Sequence, residues 1–286
     1  SGKYLDNNVF LGHHRLAIID TSEKSNQPMK IENYVIVFNG VIFNYPTLKK
    51  NLIKKGHSFK SKGDTEVIIR AYIEYGEKCV DHVDGVFAFC IYDSKRNTIF
   101  LARDRIGIKP LYYLNENNEF YFSSHIKGII KNMNSPQINP VALNYQFTLH
   151  SVVPAPHTII DNVKKLEPGY TLTISRSGDM RKRKYFDINE IEIKEYSNDE
   201  IKDNVITLLT SAIEKRINIA DVPVGILLSG GLDSSLITAI SKNYKDDLNT
   251  YSIGFNSINE EQGNEFYYSD MVARDYKTRH YKYNIS

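Results

Sequence analysis

Up to about residue 125, apolar positions fall in short runs rather than at helical spacing. Val9–Leu11, Leu16–Ile19, Tyr34–Phe38, Val86–Tyr92, Ile99–Arg103, Leu111–Leu114 and Phe120–Ser123 are rich in β-branched and aromatic residues. Each reads as a strand, and Asn7-Asn8, Ser94 to Asn97 and Asn115 to Asn118 supply turns between them. Two segments break the series. Leu48, Leu52 and Ile53 share one side of a predicted helix whose Lys49, Lys50, Lys54 and Lys55 point away. A second helix is expected from about Glu66 to Tyr75, with Asp64 as its N-cap. Hairpins interrupted by two helices predict an α+β layered domain.

Ile126 to Pro168 reads as irregular, with Pro136, Pro140, Pro154 and Pro156. A hairpin follows: Tyr170–Ser175, a turn over Arg176–Asp179, then Arg183–Phe186. Asp187–Asn198 is polar and aperiodic, the best linker. Beyond it the pattern changes. Ser197 and Glu200 have capping-box spacing ahead of a helix with Ile201, Val205, Leu208, Leu209, Ala212 and Ile213 on one face. The apolar strand Val224–Leu228, a Gly-rich turn, a helix from Asp233, a strand at Thr250–Phe255, a helix around Phe266–Ala273 and a strand at His280–Tyr283 come next. Strands without alternation, joined by helices, predict a parallel sheet covered on both faces. The expected division is therefore 1–186, a linker at 187–198, and 199–286.

Composition narrows the class. A chain of 286 residues, 41% hydrophobic and 24% charged, has room for two ordinary globular cores. The net charge of +2 is dispersed, which argues against nucleic acid as a partner. The single basic cluster, Arg181 to Lys184, reads as a solvated hairpin tip. No apolar stretch is long enough for a bilayer and no signal peptide is evident, so no membrane association and a cytoplasmic location are expected. Cys79 and Cys90 lack metal-ligand spacing; Cys90 lies in an apolar run, and both read as buried structural thiols in a reducing compartment.

Chemistry concentrates in Leu227-Leu228-Ser229-Gly230-Gly231-Leu232-Asp233-Ser234-Ser235, between a strand and a helix. Two glycines permit a tight turn with close approach of backbone N–H groups. The helix N-terminus points its free N–H groups at the same place, which makes an anion site suited to phosphate. Ser229, Ser234 and Ser235 add hydroxyl donors and Asp233 a carboxylate for Mg²⁺. The loop has no lysine, so it is no Walker A motif. A plain tight βα turn is the bland alternative for two glycines alone.

Ser229-Gly230-Gly231-Leu232-Asp233-Ser234 resembles the pyrophosphate loop of the ATP pyrophosphatases. Asp221-Val222-Pro223-Val224-Gly225 and Tyr251-Ser252-Ile253-Gly254-Phe255 resemble the glutamine-dependent asparagine synthetase branch. That resemblance implies ATP and Mg²⁺, with Leu228 and Ile253 holding adenosine. The first half resembles the same family. In Gly12-His13-His14-Arg15-Leu16-Ala17-Ile18-Ile19-Asp20, the resemblance makes Arg15 the ligand of the glutamine carboxylate. It makes Asn39 and Gly40 the oxyanion hole and Asp64 the partner of the glutamine ammonium. Asp84 to Phe89, Arg103 to Tyr113 and Lys165 to Gly169 carry further matching strings. The fold implied is an N-terminal-nucleophile glutaminase followed by an incomplete α/β ATP-pyrophosphatase domain. Taken singly, Arg15 could serve a surface ion pair, Asn39-Gly40 a hairpin turn and Asp64 a helix cap.

Three departures stand out. The family's nucleophile is an N-terminal cysteine upstream of the stretch matching Ser1, so Ser1 is not its replacement and a chain truncated at both ends is expected. Val41 replaces a family glutamate after Asn39-Gly40, and His125 replaces the acidic residue of Ser-Glu-Ile-Lys. The family's reaction forms asparagine from aspartate, ATP and glutamine through an acyl-adenylate attacked by ammonia. A ligase for another carboxylate with a decayed glutaminase half, similar to β-lactam synthetases, is the alternative, and a non-catalytic fragment is a third reading. The partners implied are small molecules, and a homodimer is compatible with the sequence.

Overall fold

The structure is a computed structural model that describes residues 1–6, 8–190, 194–255 and 266–285. Asn7, expected in a turn, and 191–193, expected in the linker, lie outside the described residues. The chain divides into two compact units, Ser1–Glu192 and Ile193–Ser286.

The first unit carries β1 (Gly2–Leu5), β2 (Phe10–His13), β3 (Met29–Ile31), β4 (Tyr34–Ile42), α1 (Tyr45–Lys54), α2 (Asp64–Tyr75), β5 (Gly85–Asp93), β6 (Thr98–Arg103), β7 (Tyr112–Glu116) and β8 (Glu119–Ser123). It continues with α3 (Ile126–Ile130), α4 (Pro140–Thr148), β9 (Lys164–Lys165), β10 (Tyr170–Ile174) and β11 (Met180–Lys184). Its main sheet has the order β11-β10-β6-β5-β4-β3, with every pairing antiparallel. Both faces of this sheet are covered. Ile36, Phe38, Phe87, Phe89 and Phe100 pack against Leu48, Leu52, Val67 and Ile68 of α1 and α2. Val35, Val37, Ala88, Cys90, Leu101 and Leu172 face the other way, onto Leu11, Leu111, Tyr113 and Leu166. Burial on both sides explains why β4 and β5 read as unbroken apolar runs. Truncating a side chain as enclosed as Phe89, 1% exposed, should cost about 3–5 kcal/mol. A smaller sheet, β8-β7-β9, adds to the second layer.

Several sequence expectations need correction here. Leu16–Ile19 is not a strand, because the chain curls around the Arg15 guanidinium, which takes the carbonyls of Ile19, Asp20 and Ser22. Ile53 is 52% exposed, so only Leu48 and Leu52 form the buried stripe of α1. Asp64 is the first residue of α2, and Gly63 is the N-cap. The stretch after Ile126 is not wholly irregular: the Asn139 side chain accepts from the N–H groups of Val141 and Ala142 and, with Pro140, starts α4. The basic run Arg181 to Lys184 is largely exposed, as a solvated hairpin should be, but it forms an edge strand rather than the tip, and its cations pair. Arg181 reaches Glu77 at 2.7 Å and Arg183 reaches Asp81 at 2.9 Å, while Lys182 and Lys184 pair with Glu167 and Asp187. Charge along an edge discourages pairing with another chain.

In the second unit the elements are α5 (Asn198–Asn218), β12 (Gly225–Leu227), α6 (Leu232–Lys242), β13 (Asn249–Phe255), α7 (Phe266–Asp275) and β14 (Arg279–Ile285). The Ser197 side chain accepts from Glu200 N–H while the Glu200 carboxylate accepts from Ser197 N–H, the capping box its spacing predicts. The three strands are parallel in the order β12-β13-β14. Among the described residues only one face is covered, where the sequence predicts cover on both. Ile226, Thr250 and Ser252 are buried, whereas Leu227, Ile253, Phe255, Tyr281 and Tyr283 are exposed. The apolar stripe of α5 is likewise buried only at Ile213 and Ile217. Among the described residues, no helix is long and apolar enough to cross a membrane.

Candidate functional site

In the first unit the candidate residues gather around the C-terminal part of β4. Asn39 and Gly40 are not a hairpin turn. They lie inside the strand, opposite Ala88 and Phe87. Gly40 has φ +155°, and a Cβ there would lie 2.1 Å from the Val86 carbonyl oxygen, so no side chain fits. The Asn39 carboxamide makes no hydrogen bond among the described residues and borders a cavity of about 1190 Å³. Arg15, Gly40 and Asp64 do not line that cavity.

Asp64 reaches the same strand from α2. Its Oδ2 accepts from Ile42 N–H at 3.1 Å, and the residue is only 6% exposed. Burial pushes its pKa up to about 6, against the pull of the Ile42, Asp64 and Thr65 N–H groups and the Arg15 charge. Asp64 and Arg15 are thus within electrostatic reach of each other. Arg15 is heavily engaged, its terminal nitrogens donating to the Ser22, Ile19 and Asp20 carbonyls and to Asn26 Oδ1. A carboxylate ligand would have to share these donors or take Nε.

Sequence reasoning passed over three supporting residues. Buried Asp20 accepts from Ser22 N–H and Oγ–H, from Ser25 Oγ–H at 2.7 Å and from Lys62 N–H at 2.7 Å. Those bonds outweigh burial and hold its carboxyl far below the usual carboxylate range. They tie the Arg15 loop to the loop that leads into Asp64. Gln27 accepts from Phe38 N–H through Oε1 and donates to Thr65 Oγ1 at 3.2 Å, linking β4 to α2. His13 Nε2 lies 3.0 Å from the Phe38 carbonyl, and its buried Nδ1 has no partner among the described residues. Burial lowers the pKa of this ring, which lines the cavity with Asn39. No spacing signal marks a polar residue as a buried link between two elements. Cys79 and Cys90 are free and fully buried, and burial pushes both thiols far up, so neither is a nucleophile.

In the second unit Ser229 to Ser235 follow β12 and run into the first turn of α6, and here strand, turn and helix fall close to where the sequence puts them. Gly230 has φ +91°, and a Cβ would meet Ser269 N at 2.6 Å, so glycine is required. Gly231 is the N-cap of α6. Gly230 N–H donates to Ser234 Oγ and Gly231 N–H to Ser229 Oγ, both at 3.3 Å, while Ser235 Oγ–H donates to the Gly231 carbonyl at 2.7 Å. The N–H groups of Leu232, Asp233 and Ser234 have no acceptor among the described residues, which leaves the N-terminal end of α6 with the free donors that an anion site needs. Asp233, in the first turn, is exposed and has no partner among the described residues. Among the described residues no cluster of three metal-ligating side chains occurs. One carboxylate still fits Mg²⁺, which commonly takes one or two carboxylates plus phosphate oxygens and water. Leu228 and Ile253 do not present a shared surface: Leu228 is 1% exposed with N–H and C=O both bonded, whereas Ile253 is 52% exposed.

Residues 1–186 match the family model described as a glutamine amidotransferase domain. The chain belongs to that family. Residues 204–286 of the same amidotransferase chain match a second model, asparagine synthase. Among curated relatives, a Bacillus subtilis protein named asparagine synthetase [glutamine-hydrolyzing] 3 is 39% identical over 260 residues, covering 87% of this chain and 42% of its own length. A putative asparagine synthetase [glutamine-hydrolyzing] 2 from Methanocaldococcus jannaschii is 37% identical, covering 96% and 56%. Asparagine synthetase B [glutamine-hydrolyzing] of Escherichia coli is 32% identical, covering 85% and 39%. The chain thus spans about half the length of the curated relatives it matches, or somewhat less.

Proposed function

We propose that the protein forms asparagine from aspartate, ATP and glutamine. The observation that carries this reading is one chain with an amidotransferase model followed by an asparagine synthase model, with a candidate site in each. We assign 1–186 to glutamine hydrolysis, 187–198 to a linker and 199–286 to ATP chemistry, in a reducing cytoplasm that suits two free thiols. In the first site, Asp64 receives the glutamine ammonium and Arg15 its carboxylate. The Asn39 carboxamide, with the N–H of Gly40, faces the negative charge that develops on the amide oxygen as the amide carbon is attacked. In the second, the aspartate side-chain carboxylate attacks the α-phosphorus of ATP, and the bond to pyrophosphate breaks. Ammonia then displaces AMP from the acyl carbon, giving asparagine. The N–H groups at the start of α6, with Ser229, Ser234 and Ser235, hold the leaving pyrophosphate. Mg²⁺ bound at Asp233 would supply charge neutralisation for that pyrophosphate.

The test uses the natural full-length protein with amide-¹⁵N glutamine, aspartate and ATP with Mg²⁺. The expected products are ¹⁵N-asparagine, AMP and pyrophosphate in equal amounts. Consumption of a different carboxylate would favour the ligase alternative, and ATP cleavage to ADP would refute the adenylate.

A further inference from the structure

Beneath the Gly-rich loop lies a polar chain that the proposed chemistry does not use. Thr278 Oγ1, Thr250 Oγ1, His280 and Ser252 Oγ follow one another across β13 and the start of β14. The contacts are 2.8 Å between the threonines, 2.9 Å from Thr250 to His280 Nδ1 and 3.3 Å from His280 Nε2 to Ser252. Ser252 then donates to the carbonyl of Leu228. Thr250 and Ser252 are 0% and 4% exposed, so these groups have little water to turn to.

One fact orders the whole chain: a carbonyl oxygen only accepts. The single Ser252 proton therefore goes to Leu228, and the Ser252–His280 contact needs its hydrogen on Nε2. A neutral ring with hydrogen on Nε2 leaves Nδ1 bare, so Thr250 donates to Nδ1 and Thr278 donates to Thr250. Putting the proton on Nδ1 instead would leave a bare Nε2 against a Ser252 oxygen whose proton is committed elsewhere. The Asp270 carboxylate, 3.7 Å from Nε2 and paired with Lys282 at 2.9 Å, also favours hydrogen on that nitrogen. Burial pushes the imidazole below its ordinary value, against the pull of Asp270 and the Thr250 backbone, with Lys282 adding to the lowering.

The end of this chain sits where the loop begins. The β12–β13 register stops at Leu227↔Tyr251, and Leu228 N–H still donates to the Tyr251 carbonyl at 2.8 Å. The Leu228 carbonyl goes to the Ser252 hydroxyl instead of a ladder N–H, and the next residues turn into the loop. We infer that His280 is a positioning residue of the Gly-rich loop: its Nε2–H tautomer aims the Ser252 hydroxyl at the Leu228 carbonyl and so fixes where the loop leaves the strand. Its consequence for ligands rests on the proposed phosphate role of Ser229 to Ser235.

The test uses the ¹⁵N-labelled 286-residue chain at pH 7.5. Long-range ¹H–¹⁵N spectra should show His280 neutral with its proton on Nε2; a proton on Nδ1 overturns the inference. Amide exchange at Leu228, Gly230 and Gly231 should quicken about five- to tenfold in Ser252→Ala and in His280→Ala, the worth of one hydrogen bond. His280→Gln, whose amide supplies a donor and an acceptor at similar spacing, should restore the slow rate. Quickening in Ser252→Ala but not in His280→Ala sinks the inference, and Ser252→Ala with His280→Gln decides the case if His280→Ala unfolds. Titrating Mg²⁺-pyrophosphate into the same samples separates the two claims. No shift in the unsubstituted chain refutes the phosphate role alone. Binding there that is undiminished in both alanine variants refutes the positioning.

Discussion

Replacing Asp64 by Asn should make the first unit more stable while removing a ligand contact. Asp64 is 6% exposed, and burial lifts its pKa to about 6 from an ordinary 3.8. A folded-state value above the unfolded one means the folded state prefers the neutral acid. The stability this preference contributes is full below about pH 3.8 and is lost as pH rises through about 6. A gap of about 2 units corresponds to about 3 kcal/mol at pH 7 and above. Asn cannot ionise, and its carbonyl oxygen can still accept from Ile42 N–H. An imperfect replacement bond returns about 1 kcal/mol of that gain. The net expectation is about 2 kcal/mol of stabilisation at pH 7.5, shrinking toward zero or below at pH 4. Urea unfolding at both pH values checks it, read by tyrosine fluorescence since the chain has 20 Tyr and no Trp. Calorimetry with glutamine on the same variant should show weakened binding, because an ammonium would lose its carboxylate. Gained stability with lost binding is the mark of a site kept at the expense of the fold. A variant no more stable than the parent at pH 7.5, with an unchanged pH profile, would refute the reasoning.

Three further outcomes follow from the same geometry. Gly40→Ala should destabilise the first unit by about 1–3 kcal/mol in urea unfolding, because its methyl group meets the Val86 carbonyl and forces β4 from β5. Asp20, whose folded pKa is depressed, contributes stability above the unfolded value that is lost on acidification through the folded one; Asp20→Asn should therefore be destabilised at pH 7 and converge with the parent in acid. Because the chain's two thiols, Cys79 and Cys90, are both buried, the purified 286-residue chain by itself should release no glutamate from glutamine, and a thiol reagent should leave both cysteines unmodified until urea unfolds the protein; prompt labelling of the native protein would contradict their burial.

The legible parts of the molecule are those in which local chemistry and tertiary structure agree. The Ser197–Glu200 capping box, the Gly-rich turn and the strands around Val86–Tyr92 and Ile99–Arg103 could be read from spacing and residue type. Leu16–Ile19 could not, since the Arg15 guanidinium takes the carbonyls of Ile19, Asp20 and Ser22 and curls the chain just where its β-forming residues would extend it. Taken singly, Asn39-Gly40 could pass for turn chemistry because a glycine inside a strand is costly, and only the crowding against Val86 shows why it sits inside β4. The candidate glutamine site is harder still. Arg15, Asn39 and Asp64 lie far apart in sequence, and they are gathered by Asp20 and Gln27, residues whose importance exists only once the loops are folded.

That dependence has a consequence for Arg15. Its guanidinium holds the loop containing Asp20, and Asp20 in turn holds the Lys62 N–H just before Asp64. A change at Arg15 therefore disturbs both arms proposed to grip glutamine. It also removes a positive charge that favours ionised Asp64, so the carboxyl should titrate above about 6. Weakened glutamine binding in Arg15→Ala would not by itself identify a carboxylate ligand. Arg15→Lys retains the charge but cannot reach the Ser22, Ile19 and Asp20 carbonyls together. If Arg15 acts chiefly as a charge, Lys should recover most of the affinity lost in Ala. If it acts by shaping the loop, Lys and Ala should bind equally poorly, and amide exchange at Lys62 should quicken alike in both.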